Sequence, residues 1–160
     1  MTVLLPYTPD RIEHRTAEWA YERGDVLAVN VAGSPTAYYE LLAAHWREPG
    51  DLLIVEHDML PADGCVDEML KCRWGWCTAT YTIANGQQCT DGLGVAKFSA
   101  TLKQLRPQLM DEVGAIADDG LPAKDWHRLD TRISRILRGA YHQPHVHAPA
   151  EHLHDYQARP

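Results

Sequence analysis

Three short apolar runs, "TVLLPY" (2–7), "DVLAVNV" (25–31) and "LLIV" (52–55), set the frame within which this chain must fold. Two stretches of helical character separate them. In "TPDRIEHRTAEWAYERG" (8–24), Pro9 suits a first helical turn and Gly24 a stop. In "TAYYELLAAHWRE" (36–48), Tyr38, Leu41, Leu42 and His45 recur at helical spacing. Strand, helix, strand, helix, strand is the pattern of a parallel sheet covered on both faces, and near-continuous apolar strands fit burial on both sides. Right-handed crossovers make it a Rossmann-like α/β sheet.

The second half changes character. "ADGCVDEMLKC" (62–72) reads as a short helix, "WCTATYTI" (76–83) as a strand, and Asn85-Gly86 as a turn. "DGLGVAKFS" (91–99) reads as a glycine-bearing loop opening a helix in which Phe98, Leu102 and Leu105 share a face. Pro107 restarts the helical pattern, with Leu109, Val113 and Ile116 as the next stripe. After "DDGLP", the residues Trp126, Leu129, Ile133 and Ile136 make one more amphipathic helix, ended by Gly139. The last 20 residues hold three prolines and read as irregular. Residues 1–160 are therefore expected to form one domain, with 139–160 as an extended histidine-rich C-terminal arm.

Charge and cysteine usage narrow the function classes. A net charge of −7 makes the chain a poor electrostatic match to a polyanion. The N-terminal "MTVLLPYTPDR" lacks a basic region and its apolar stretch stops at Pro6, so no signal peptide is read there. No apolar run approaches the roughly 18 residues of a membrane span. The four cysteines (Cys65, Cys72, Cys77, Cys89) then fit a reducing cytoplasm as free thiols, and none forms a C-x-x-C zinc pair.

The chemistry-bearing residues collect in a few places. Glu56, His57 and Asp58 follow the third apolar run, at the carboxyl end of a strand where open parallel sheets bind ligands. If the strand continues, Glu56 and Asp58 point to one side and His57 to the other. Two converging carboxylates repel unless a cation sits between them, and Mg²⁺ or Mn²⁺ accepts such oxygen ligands and shares them with phosphates. Solvation or capping of the next turn is the plainer use of the same acids. His142, His145, His147, His152 and His154 are five of the nine histidines of the chain, and "HVH" in an extended segment projects both rings to one side. "KDWHRLDTRISRILRG" (124–139) puts Arg128, Arg132 and Arg135 on one helical face, a solvated surface or a phosphate contact. There is no G-x-G-x-x-G, P-loop, G-x-S-x-G or H-E-x-x-H.

Taken together, "LLPYTP", "VNVAGSPTAYYELLAAHW", "DLLIVEHDM", "CRWGWCTATY", "GLGVAKFSATL", "DWHRLD" and "HQPHVHAPAEHLHDY" resemble a family of short glycosyltransferases. They are similar to the nucleotide-sugar enzymes of GT-A type, above all to compact versions from bacteriophages of actinobacteria. The resemblance implies a single-domain, mostly parallel GT-A-like sheet flanked by helices. It implies a metal-dependent glycosyltransferase moving a sugar from a nucleotide-diphosphate donor, a UDP-sugar first, to a hydroxyl acceptor in the host cytoplasm. A virion protein, a hypermodified DNA base or a glycan would accept the sugar. Glu56 and Asp58 would stand for the family's D-x-D and hold Mn²⁺ or Mg²⁺, with His145 and His147 the first choices from the tail and His152 and His154 the reserves. Pro6, Tyr7, Thr8, Asn30, Ala32, Ser34, Glu56 and His57 would meet the donor. Asp130 and Asp91 are the candidates for a catalytic base. The competing expectations are a noncatalytic nucleotide- or metal-binding module with the same shell, and a metallohydrolase using the histidine tail with Asp58.

Overall fold

One sheet serves two cores, because successive side chains of a strand leave opposite faces. Leu52 and Ile54 enter one buried cluster with Leu4, Trp76 and Phe98, while Leu53 and Val55 enter another with Val3, Cys77 and Val95. The computed structural model describes residues 1–83, 85–117, 120–140 and 142–153. In chain order its first half contains β1 (Thr2–Tyr7), α1 (His14–Arg23), β2 (Val26–Asn30), α2 (Ala37–Arg47), β3 (Leu52–Val55), β4 (Met59–Pro61) and α3 (Cys65–Lys71). There follow β5 (Trp76–Ala79), β6 (Tyr81–Thr82), β7 (Gln88–Cys89), β8 (Val95–Phe98), α4 (Ala100–Leu105) and α5 (Leu109–Gly114). A 3₁₀ turn (Trp126–Arg128) leads into α6 (Leu129–Gly139), β9 (His145–His147) and β10 (Ala150–His152).

The central sheet has six strands in the order β2-β1-β3-β8-β5-β9. β1 pairs in parallel with both β2 and β3, as the sequence pattern requires, and β5 pairs in parallel with β9. β8 runs antiparallel to both its neighbours. The sheet is thus mainly parallel and flanked by helices. β4 and β10 form a small antiparallel pair at its edge, and β6 and β7 a hairpin around Gly86, whose φ of 80° is the left-handed value that a turn glycine supplies.

Several expectations change. Residues 95–98 form a central strand, whereas a helix was expected from there; the helix starts at Ala100, where the Ser99 hydroxyl caps it by accepting from Leu102 N at 3.1 Å. Lys97 disguises the strand. It is fully buried, its ammonium donating to the Cys72 carbonyl and lying 3.8 Å from an Asp51 carboxylate oxygen. "WCTATYTI" divides at Thr80, so β5 stays in the sheet and β6 joins the hairpin. Helix α1 begins only at His14; Pro9 lies in a turn closed by Arg11 N donating to Thr8 O at 3.0 Å, which frees residues 8–11 to face the strand ends. Two three-residue strands stand within the described part of the tail, where Val146 sits in register with Thr78 and Glu151 with Leu60.

The placement of β8 yields a stability prediction. Phe98 is buried between Trp46, with ring centroids 5.3 Å apart, and Trp76, at 6.5 Å. Phe98→Ala is expected to cost about 3–5 kcal/mol in denaturant unfolding, as a cavity in a packed core does. A loss below about 1 kcal/mol, the size of a surface change, would count against a central β8.

Candidate active site

The carboxyl ends of β1, β2 and β3 lie on one edge of the sheet because the three strands are parallel. A cleft of about 460 Å³ opens there, lined from the three strand ends and from the segment entering α2. Its β1 side carries Pro6, Thr8, Asp10 and Arg11, its β2 side Val31, Ala32, Ser34 and Pro35, and its β3 side Glu56, His57 and Asp58. Tyr38 and Trp126 complete the wall. The Thr8 hydroxyl is buried with no hydrogen-bond partner among the described residues, an arrangement that costs free energy.

The E-H-D segment is a turn and does not continue the strand. β3 ends at Val55, and Met59 N donates to Glu56 O at 3.0 Å, so Glu56 and Asp58 do not share a strand face. Each carboxylate has its own partner. The Tyr38 hydroxyl donates to Glu56 Oε1 at 2.9 Å, and His152 Nε2 lies 3.1 Å from Asp58 Oδ2. β10 delivers His152 by pairing it with Met59, and Leu153 N locks the turn by donating to Asp58 O at 2.8 Å.

Burial pushes the Glu56 carboxyl up to about 8, and the charge of Asp58 adds to the rise against the opposing hydrogen bond from Tyr38. The hydrogen bond to Asp58 raises the His152 imidazolium above its ordinary value. The floor of the site thus sets two carboxyl groups beside one imidazole. The sign of the Glu56 effect is testable. A carboxyl raised from 4.5 to about 8 contributes stability that is present at acid pH and lost as pH rises through that interval. Glu56→Gln, with no cation or nucleotide added, is expected to stabilise the protein at pH 8 by about 1–3 kcal/mol and to flatten that fall. Equal slopes in wild type and variant between about pH 5 and 8 would mean Glu56 is not held protonated.

Of the residues expected to meet the donor, Pro6, Thr8, Ala32, Ser34, Glu56 and His57 line the cleft. Tyr7 and Asn30 do not; the Asn30 side chain shapes the adjoining loop by accepting from Ala32 N at 2.9 Å. Asp130 and Asp91 share a second, smaller recess with Thr131, Ser134 and Arg135. Asp91 is clamped by Ser134 Oγ at 2.7 Å and by the Arg138 guanidinium at 3.0 Å. Asp130 is near enough that its charge adds, after larger causes led by burial, to the raised pKa of Glu56, Tyr38 and Tyr81.

His145 and His147 stand on the far edge strand, separated from β3 by β8 and β5, so the structure does not bring them to Glu56 and Asp58. His152 occupies the place expected of them. His154 lies outside the described residues. The arginine stripe also breaks up, since Arg132 is fully buried and donates to the backbone carbonyls of Pro122 at 3.2 Å and Asp125 at 3.4 Å. Those bonds tie down the loop that presents Trp126, whose turn is capped by Asp125 accepting from His127 N at 2.9 Å. Trp126 had read as part of an apolar helix face; it is 40% exposed, at the cleft. Asp10, Arg11 and Tyr38 also belong to the cleft. Tyr38 had a helical-spacing signal that read as core, and the other two had none.

No family model matches this sequence, and no curated protein matches it. Solved structures do. A glycosyltransferase involved in the glycosylation of the major capsid of PBCV-1 has a TM-score of 0.55 at 10% identity, over 94% of this chain and 92% of that one. A197 from STIV has a TM-score of 0.51 at 10% identity, over 97% and 87%. At such identity the likeness is one of fold. The chain thus has a mixed α/β fold shared, nearly end to end, with a viral glycosyltransferase.

Proposed function

We propose that this chain is a GT-A-type glycosyltransferase that moves a sugar from a nucleotide-diphosphate donor to a hydroxyl acceptor. The observation that carries the reading is the cleft at the carboxyl ends of three parallel strands, floored by Glu56, Asp58 and His152, in a fold shared with a glycosyltransferase. Thr8, with its unsatisfied buried hydroxyl, faces the nucleotide, Arg11 offers a guanidinium to the diphosphate, and Trp126 offers a ring for stacking.

Asp58 and His152 are the residues that would hold Mn²⁺ or Mg²⁺, with the Glu56 carboxyl behind them. The fit rests on the Glu56 carboxyl, which burial raises first and the nearby Asp58 raises further, a repulsion that a cation would relieve. A bound divalent cation supplies charge neutralisation for the departing diphosphate. Tyr38 orients Glu56 by its hydrogen bond. Of the two acids offered as base, Asp130 is the better placed, because the oxygens of Asp91 already serve Ser134 and Arg138. Burial of Arg132 removes the middle of the basic stripe and favours a protein or glycan acceptor over a modified DNA base.

A noncatalytic nucleotide-binding module is the second reading, favoured by the clamping of Asp91 and the pairing of Glu56 with Tyr38. Hydrolysis or transfer measured over a panel of nucleotide sugars separates the two. The test of the shared site is a thermal-shift series of nucleotide sugars, UDP-sugars first, with and without Mn²⁺. A ligand at 100 times its dissociation constant adds about 2.7 kcal/mol. Nucleotide and cation are expected to stabilise together by more than the sum of each alone, since each completes the other's shell. Strictly additive shifts would place them in separate sites and remove the basis of the reading.

A further inference from the structure

A second group of ligating side chains lies on the opposite edge of the sheet. Cys72 ends α3, Cys77 lies in β5, and His145 and His147 project from the same side of β9. Register pairs Cys77 with His145. Cys72 Sγ is 3.2 Å from His145 Nδ1, which is 3.2 Å from His147 Nε2. One ligand atom from each of the four falls within 4.8 Å of all the others. The corners of a tetrahedron built on Zn–S near 2.3 Å and Zn–N near 2.0 Å are about 3.3–3.8 Å apart, so the four need only small rotamer adjustments to close on one ion.

We propose that Cys72, Cys77, His145 and His147 form a structural zinc site. Two thiolates and two imidazoles suit zinc and not the hard, oxygen-seeking Mg²⁺ or Mn²⁺ of the cleft. Four protein ligands leave no position for substrate, so the site is structural rather than catalytic. Its surroundings match that use. His147 would bind through Nε2, and its Nδ1 lies 4.0 Å from Glu68 Oε2, the outer carboxylate that zinc-bound histidines commonly engage. Trp74 stacks on His145 with ring centroids 5.6 Å apart.

The site would pin the edge strand. Only Ala148 and Pro149 separate β9 from β10, the strand that carries His152 to Asp58. A zinc ion binding α3 and β5 to β9 would thus set the position of the cleft's histidine from the far side of the sheet. The C-x-x-C criterion misses such a site because its thiols flank a turn and its imidazoles come from the tail.

The decisive measurement is metal content. Untagged full-length protein, loaded with excess zinc and dialysed, is expected to retain about one zinc per chain by elemental analysis. Cobalt substitution is expected to show thiolate-to-cobalt charge transfer in the near ultraviolet and the intense visible bands of a tetrahedral ion. Cys72→Ser and His145→Asn change groups that are not fully buried, and each is expected to lower zinc affinity at least about tenfold with the circular dichroism retained. Asp58→Asn should leave the cobalt spectrum unchanged, which separates this site from the cleft. Loss of the zinc on dialysis, a cobalt spectrum without charge transfer, or a Cys72→Ser protein that holds zinc as tightly as wild type would each overturn the proposal.

Discussion

Asp58→Asn is expected to lower sugar transfer and donor hydrolysis by about a hundredfold or more while leaving the far-ultraviolet circular dichroism of the wild type. Asparagine keeps the shape of the side chain and loses the charge that faces His152 at 3.1 Å in the floor of the cleft. Little packing goes with it, because both side chains retain 14% exposure and the turn itself is held by backbone bonds from Met59 and Leu153. The charge loss has a second readout. His152 is raised chiefly by its hydrogen bond to Asp58, so its contribution to stability is present below the ordinary value of 6.5 and lost as pH rises through the raised one. In the variant that fall should disappear, and the His152 resonances should titrate nearer the ordinary value. A variant keeping more than about a tenth of wild-type turnover, a loss under about 1.4 kcal/mol, would remove Asp58 from the machinery.

Truncation after Gly139 is expected to abolish binding of donor and cation and to lower the melting temperature by about 10 °C or more. It deletes β9 and β10, strips the partner from β5 and from β4, and removes His152 from Asp58. Buried Cys77 and Ala79 would meet water along the exposed edge. Since a damaged fold by itself loses ligands, the companion variant is His152→Ala in the full chain. The backbone pairing of His152 with Met59 survives there, so stability should fall by no more than about 1–2 kcal/mol while the coupling between nucleotide and Mn²⁺ is lost. A truncated chain that still binds both ligands like the full one would make the tail irrelevant to the site.

Local patterns carried the first half of the fold because they are local. Leu52 to Val55 are apolar in a run too short for a helix, and Gly24 ends α1 with a φ of 72° that few other residues adopt. Once β1, β2 and β3 are parallel, their carboxyl ends must share an edge, so the convergence of Thr8, Ser34 and Glu56 on one cleft followed from sequence order alone. The strand at β8 was not legible in the same way. Lys97 looks like a solvent-facing residue until the Cys72 carbonyl and Asp51 are in place to receive its ammonium, and both arrive from distant parts of the chain.

The histidines mark the boundary most clearly. By itself, the sequence determined that five of them gather near the end of the chain and that His145 and His147 project together. Where they project depends on partners. β9 aligns with β5 and carries its pair to Cys72 and Cys77, whereas β10, two residues later, aligns against β4 and carries His152 to Asp58. Strand pairing is a contact between segments far apart in sequence, and its register decides which way every side chain faces. No local periodicity in "HVHAPAEH" contains that choice, so only the tertiary structure could divide these histidines between β5 and β4.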